Sequence, residues 1–324
     1  MSVSSLGFGA APIGDLYAVL DDQRAIEAVT AAWDLGINLF DVAPLYGHGL
    51  AEHRCGTALR RCPRDGYLLS TKVGRWFDPM GGRGTGSGYA GGLPHRAVID
   101  YSYDGTMRSV EQSLLRLGVD RIDILLIHDV DVWTHGTAIE ARFSEAMEGS
   151  YRALDRLRSG GAVRAIGVGV NEVAMCERFA AAGDFDVMLL AGRYSLLENA
   201  ATEKFLQLAR QRGIGVLLGG VFNSGILATG ASEGARYNYS LASSDVLDRV
   251  SAIEKVCAAH GARLPDVALQ FALAHPAVSS VVLGAVSALE VSQNVSSLNR
   301  FVPQALWGDL KRGGLLSADA VVPS

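Results

Sequence analysis

Eight short apolar runs, each followed by an amphipathic stretch, recur along the 324-residue chain. A run of four to six residues with no polar alternation belongs to a strand buried on both faces. Parallel strands covered by crossover helices give that environment. The runs predict strands at Leu6 to Gly9, Asn38 to Asp41, Tyr67 to Lys72, Ile122 to Ile127, Ala165 to Val168, Val187 to Leu190, Gly215 to Leu218 and Val278 to Leu283. Helices are expected at Asp22 to Leu35, Gly49 to Arg60, Asp104 to Leu117, Phe143 to Ser159, Glu172 to Ala182, Thr202 to Gln211, Asp245 to His260 and Ala288 to Leu298. In the third of these, Met107, Val110, Leu114 and Leu117 recur at spacings of three and four, which places them on one buried face.

An open doubly wound sheet and a closed barrel both alternate strand and helix. The open sheet wants a Gly-rich phosphate turn of GxGxxG form after its first strand. GFGAAPIG begins as GxG, but no helix starts at its third glycine. Eight units suit a (β/α)8 barrel, an α/β fold of roughly 250 residues before additions. No linker or shift in composition divides the chain, so residues 1–324 read as one domain with long loops at the C-terminal rim. Two connections exceed the usual length, 78–105 after the third strand and 218–244 after the seventh. The first is Gly-rich and lacks the GK[ST] ending of a phosphate cradle, so it is expected to be a flap over a rim site.

A formal net charge of -5 with no Lys/Arg block offers no electrostatic footprint for nucleic acid or an anionic membrane. No stretch approaches the roughly 18 apolar residues of a membrane span. Cys55, Cys62, Cys176 and Cys257 are scattered without metal-ligand spacing, and Asp129 and Asp131 have no further ligands beside them, so no metal is expected. A cytoplasmic protein with a small-molecule substrate is the resulting expectation.

Asp41, Tyr46, Lys72 and His128 each lie at or just past the end of the second, third or fourth strand. In a parallel barrel these ends converge on one rim. A free tyrosine, with a pKa of about 10, is a poor proton carrier near neutrality and needs a cationic neighbour. Lys72 can supply that charge, Asp41 can hold the ammonium, and His128 can orient a substrate oxygen. Taken singly, the Asp reads as a cap, the Tyr as a rim residue and STK as the close of a strand. All four together, in order and in their local motifs, argue for chemistry. His48, His53, His95, Asp129 and Asp131 read as solvated loop residues, whereas Trp76, Phe77, Trp133 and His135 are placed to reach a substrate.

The segments NLFDVAPLYGHG, LLSTKVGR and DILLIHDVD resemble the aldo-keto reductase superfamily, whose catalytic positions are Asp, Tyr, Lys and His in this order. The resemblance spans almost the whole chain. It implies the barrel fold, the four roles just described and a nicotinamide dinucleotide as hydride carrier. It also implies a short N-terminal hairpin across the barrel bottom, partway through or after which this chain begins.

Asn171 in GVGVNE is then the expected carboxamide contact, while Ala191 stands where many relatives carry Gln. Gly219, Ser224, Gly284, Ala285, Glu290 and Asn294 complete the expected cofactor site. Relatives selective for a 2'-phosphate place a Lys ten residues before the Asn and an Arg six after that Lys, or an Arg in a GAR segment. Here those positions hold Gly284, Glu290 and Val286, which predicts a preference for NAD over NADP. An NAD-linked enzyme is expected to act as a dehydrogenase. The segments VIDYSYDGTMRS, LLIHDVDVWTHG and FNSGILATG look most like the branch of L-fucose or D-threo-aldose 1-dehydrogenases, which oxidise a cyclic hemiacetal to a lactone. Pyridoxal 4-dehydrogenases, forming a lactone from pyridoxal hemiacetal, share much of this text. An NADPH-dependent reductase of small aldehydes and a redox-sensing dinucleotide-binding subunit are the other readings.

Overall fold

The computed structural model describes residues 2–82, 88–199 and 202–323. All eight expected strands form: β1 (Leu6–Gly9), β2 (Leu39–Asp41), β3 (Leu68–Val73), β4 (Ile124–His128), β5 (Ala165–Val170), β6 (Val187–Ala191), β7 (Gly215–Gly219) and β8 (Val278–Gly284). They run parallel in chain order around a closed barrel, β8 returning to pair with β1. The fold is the (β/α)8 barrel.

Side-chain alternation divides the apolar residues into two cores. Leu39, Leu68, Ile124, Leu126, Ala165, Val187, Leu189, Leu217 and Val282 fill the barrel interior. Their neighbours of opposite parity, such as Phe40, Leu69, Leu125, Ile127, Ile166 and Leu218, pack outward against the helices. This two-sided demand is why the strands read as unbroken apolar runs. Residues 2–5 form no hairpin. Val3 packs on the interior cluster and the Ser4 amide donates to Asn38 Oδ1 at 2.7 Å.

Seven expected helices form within a residue or two of their predicted bounds. The one predicted from Phe143 instead begins at Ile139 and widens through a π turn at Ala146–Tyr151. Close packing accompanies the widening: a Cβ on Gly149 would lie 2.3 Å from the Tyr101 carbonyl oxygen, and the Ser150 hydroxyl donates to the same oxygen at 3.0 Å. Helix Leu264–Ala274 escaped prediction because LPDVALQFALA is apolar on most of its circumference and lacks a one-sided period. Helix Gln304–Arg312 also follows the expected elements.

Both long loops carry antiparallel ribbons, Arg75–Asp78 with Arg96–Ile99 and Arg236–Tyr237 with Ser240–Leu241. The centre of the expected Gly-rich flap, 83–87, lies outside the described residues. Among the described residues no helix is long and apolar enough to cross a membrane.

Candidate active site

The parity that fills the barrel with Leu and Val changes character at its C-terminal rim. On β2, Leu39 is followed two residues on by Asp41. On β3, Leu68 is followed by Ser70 and Lys72, and on β4, Ile124 and Leu126 are followed by His128. Three adjacent strands thus turn polar side chains inward at the same height. On the other strands the rim positions are small: Gly169 beside His128, Ala191 beside Gly219, and Gly284 beside Gly9, which itself pairs with Asp41. The result is a charged half-rim facing a half-rim without bulk.

Lys72 and Asp41 are both buried and form an ion pair at 2.7 Å. The ammonium also donates to the Val42 carbonyl at 3.0 Å, and the second Asp41 oxygen accepts from Ser70 Oγ at 2.7 Å. A glycine at 169 leaves room for the lysine stem, since a Cβ there would sit 3.3 Å from Lys72 Cε.

Tyr46 does not ride on a strand. It begins a turn, Tyr46–Gly49, in which Gly47, His48 and Gly49 all have positive φ. Gly47 meets Gly14 so closely that a Cβ would lie 2.4 Å from the Gly14 carbonyl oxygen, which clasps the turn to the loop after β1. Lys72 Nζ lies 4.8 Å from the centroid of the Tyr46 ring, and the His128 ring stands edge-on to it at 6.0 Å. All four predicted catalytic candidates are therefore brought together.

Their protonation differs in part from expectation. Burial, reinforced by the Asp41 charge, holds the Tyr46 hydroxyl well above its ordinary value. The Lys72 charge is matched by Asp41 and approaches the ring face, so Tyr46 is a neutral phenol here. Burial and the neighbouring Lys72 and Arg75 charges hold His128 well below the usual imidazole range, leaving it neutral.

Several residues expected to be solvated lie inside instead. Asp129 pairs with buried Arg75 at 3.0 Å, and its Oδ1 is 3.3 Å from His128 Nε2. Asp131 is fully buried. It caps the short helix Val132–His135 through the Thr134 amide at 2.9 Å and accepts from the Asn171 amide at 3.2 Å. His48 is buried as well, its Nδ1 2.8 Å from the His95 carbonyl.

Trp76 was expected near a substrate, but it lies on the opposite side of its ribbon from Arg75. Its indole donates to Asp100 at 3.0 Å and Arg108 covers its ring, so it is held away from the pocket. Phe77, on the Arg75 side, packs on His48. His135 is tied through Nε2 to the Tyr101 hydroxyl at 3.0 Å, which in turn donates to the His128 carbonyl at 2.8 Å. His135 is therefore linked to the end of β4 through Tyr101. Trp133 is half exposed, edge-on to Tyr239 at 6.2 Å and 5.8 Å from the Arg193 guanidinium.

Sequence reading missed Arg75, Tyr89, Tyr101 and Tyr239. Tyr89 lies within the glycine run, Tyr101 follows it, and Tyr239 is at the tip of the second ribbon, so no local motif announces them. Asp129 had one signal: it directly follows His128.

The expected cofactor positions share this rim, where Ala191 and Gly219 keep the edge low, while the Pro12 ring already fills the space a Cβ on Gly284 would enter. Asn171 donates its side-chain nitrogen toward Asp131 at 3.4 Å, which leaves its carbonyl oxygen to accept from a carboxamide. At the other end, Ser287 caps helix Ala288–Leu298. Its hydroxyl accepts from the Glu290 amide at 3.3 Å, and the Glu290 carboxylate accepts from the Val286 amide at 2.9 Å. Glu290 thus reaches back past the cap to the residue before it, fixing a negative charge where the helix would otherwise attract a phosphate. The residues present fit a nicotinamide dinucleotide.

Two expectations change. Ser224 accepts from the Tyr239 amide at 2.9 Å, so its oxygen already holds the second ribbon. A cation does approach the Glu290 end: Arg24, from helix Asp22–Asp34, donates to the Val286 carbonyl at 3.0 Å. Separated by 262 residues, it could not be counted within the last strand–helix segment. Among the described residues no group of three His, Cys, Asp or Glu side chains is placed to hold a metal.

A model of the aldo/keto reductase family matches residues 5–311. The chain is 39% identical to a pyridoxal 4-dehydrogenase of Microbacterium luteolum, with 98% of this chain and 96% of that protein covered. It is 34% identical to a D-threo-aldose 1-dehydrogenase of a Pseudomonas species, over 98% and 95% respectively. Among solved structures, an aldo-keto reductase from Bacillus halodurans in its holo form superposes with a TM-score of 0.75 at 27% identity, covering 99% of this chain and 94% of that one.

Proposed function

The chain belongs to the aldo/keto reductase family, and from that footing we propose that it is an NAD-dependent dehydrogenase oxidising the anomeric carbon of a cyclic hemiacetal to a lactone. The observation that carries this reading is the Asp41–Lys72–Tyr46–His128 cluster facing a half-rim of small residues. NAD held at this rim would supply the hydride acceptor. In its deprotonated form Tyr46 takes the proton of the hemiacetal hydroxyl, Lys72 and Asp41 keep a fixed charge pair beneath its ring, and neutral His128 donates to the substrate oxygen.

An L-fucose or D-threo-aldose type sugar is the favoured substrate, since the Arg75–Asp129 pair beside His128 offers polar groups to a polyol. The second reading is pyridoxal. It is supported by the 39% identity to a pyridoxal 4-dehydrogenase and by the aromatic pair of Trp133 and Tyr239. The deciding experiment is the initial rate of NADH formation with L-fucose, D-arabinose, L-galactose and pyridoxal, repeated with NADP. Sugar turnover with NAD supports the first reading and turnover of pyridoxal alone the second. Activity confined to NADPH-driven aldehyde reduction would sink both, and tight cofactor binding with no turnover would point to a redox-sensing subunit.

Cofactor preference rests on Glu290. Glu290→Arg should raise the NADP to NAD ratio of kcat/KM by about tenfold or more, as a like charge becomes an opposite one. Arg24→Ala should lower that ratio in the wild-type background. Unchanged ratios in both variants would place the adenosine end elsewhere.

The neutral phenol of Tyr46 sets a pH dependence. Oxidation needs it deprotonated, so kcat/KM should climb with pH without a plateau below about pH 9. Reduction uses the protonated phenol and should stay level from about pH 6 to 9. A plateau in oxidation near neutrality would contradict the environment described for Tyr46.

A further inference from the structure

Asp129 is held in a way that capping or turn formation does not require. Its φ of 53° is in the left-handed region, where only a few non-glycine residues sit. There its carboxylate pairs with Arg75, and the two side chains are only 13% and 7% exposed. Removing two charges from water is costly even when they are paired. One oxygen faces Arg75, and the other is 3.3 Å from His128 Nε2, too long for a strong hydrogen bond. The Asp129 charge also helps raise the pKa of the Tyr46, Tyr89 and Tyr239 hydroxyls, so all three lie within its electrostatic reach. The carboxylate therefore lies beside the imidazole nitrogen proposed to meet the reacting oxygen.

We propose that Asp129, fixed by Arg75, is a substrate-binding carboxylate that accepts a hydrogen bond from a hydroxyl next to the reacting carbon. This rests on the proposed placement of the reacting oxygen between Tyr46 and His128. A hydroxyl one or two carbons from that centre then falls against Asp129 Oδ1. An aldose supplies it as an alkyl hydroxyl on the adjacent carbon. The hemiacetal of pyridoxal supplies it as an aromatic hydroxyl one carbon further on. Substrates without such a group leave a desolvated carboxylate without its donor, so the subsite selects hydroxylated substrates rather than merely accommodating them.

The test compares paired substrates in both directions: L-fucose against 2-deoxy-L-fucose in oxidation, and glyceraldehyde against propionaldehyde in reduction. Pyridoxal and 3-deoxypyridoxal form the aromatic arm. The wild type should favour each hydroxylated partner, and Asp129→Asn should lower its kcat/KM about 10- to 100-fold, chiefly through KM, while changing the deoxy partner less than about threefold.

Asp129→Asn leaves Arg75 buried without its counter-charge. The double variant Asp129→Asn/Arg75→Gln removes that burden and should show the same hydroxyl-selective loss. An equal loss on both members of each pair would mean a structural role and overturn the assignment. So would a wild type that shows no preference for the hydroxylated partner in either direction. Preference kept in glyceraldehyde reduction with no lactol oxidation would retire the proposed dehydrogenase function and leave the subsite standing.

Discussion

Replacing Tyr46 by Phe should lower kcat for hemiacetal oxidation by a factor on the order of 10³ while leaving cofactor affinity within about twofold of wild type. One oxygen is removed and little else changes. The backbone of residue 46 is held by the approach of Gly47 to Gly14. A Phe ring keeps its place over Lys72 and edge-on to His128, and the Lys72–Asp41 pair does not depend on the hydroxyl. The loss should therefore fall on the proton-transfer step, and the residual rate should no longer climb with pH. Titration of NADH fluorescence against steady-state kcat separates the two quantities. Retention of more than a few per cent of the rate would remove Tyr46 as proton carrier, as would a parallel collapse of cofactor binding.

The barrel and the cluster were legible for the same reason. Strand parity is a local property, so the step from Leu39 to Asp41, from Leu68 to Lys72 and from Ile124 to His128 can be followed in the sequence before any tertiary contact is known. What could not be read depends on contacts between distant segments. Arg75 meets Asp129 because a ribbon folds back over the β4 end, and Arg24 reaches Val286 across the closure of the barrel.

Trp76 misled because its register on a ribbon was unknown. His135 misled because its partner, Tyr101, lies beyond the Gly-rich segment. Glu290 shows a subtler case. Its local hydrogen bond and its electrostatic role are compatible, because the hydrogen bond to Val286 is what fixes the charge in place.

The buried pair beneath Tyr46 separates stability from function. Lys72→Met should destabilise the protein by about 3–5 kcal/mol, because Asp41 would lose its partner in a buried site. Lys72→Met/Asp41→Leu removes both charges and should recover most of that loss. The remaining deficit should be about 1 kcal/mol, from the Ser70 hydroxyl and Val42 carbonyl that lose their partners.

Turnover should be lost in both variants, since neither keeps a cation under the Tyr46 ring. Denaturant unfolding beside kcat gives the comparison. A double variant as unstable as the single one would show that the pair earns its place by stabilising the rim. Recovery of stability without activity would show that three adjacent strands carry inward-facing polar residues, at a cost to the barrel, for the sake of the chemistry above them.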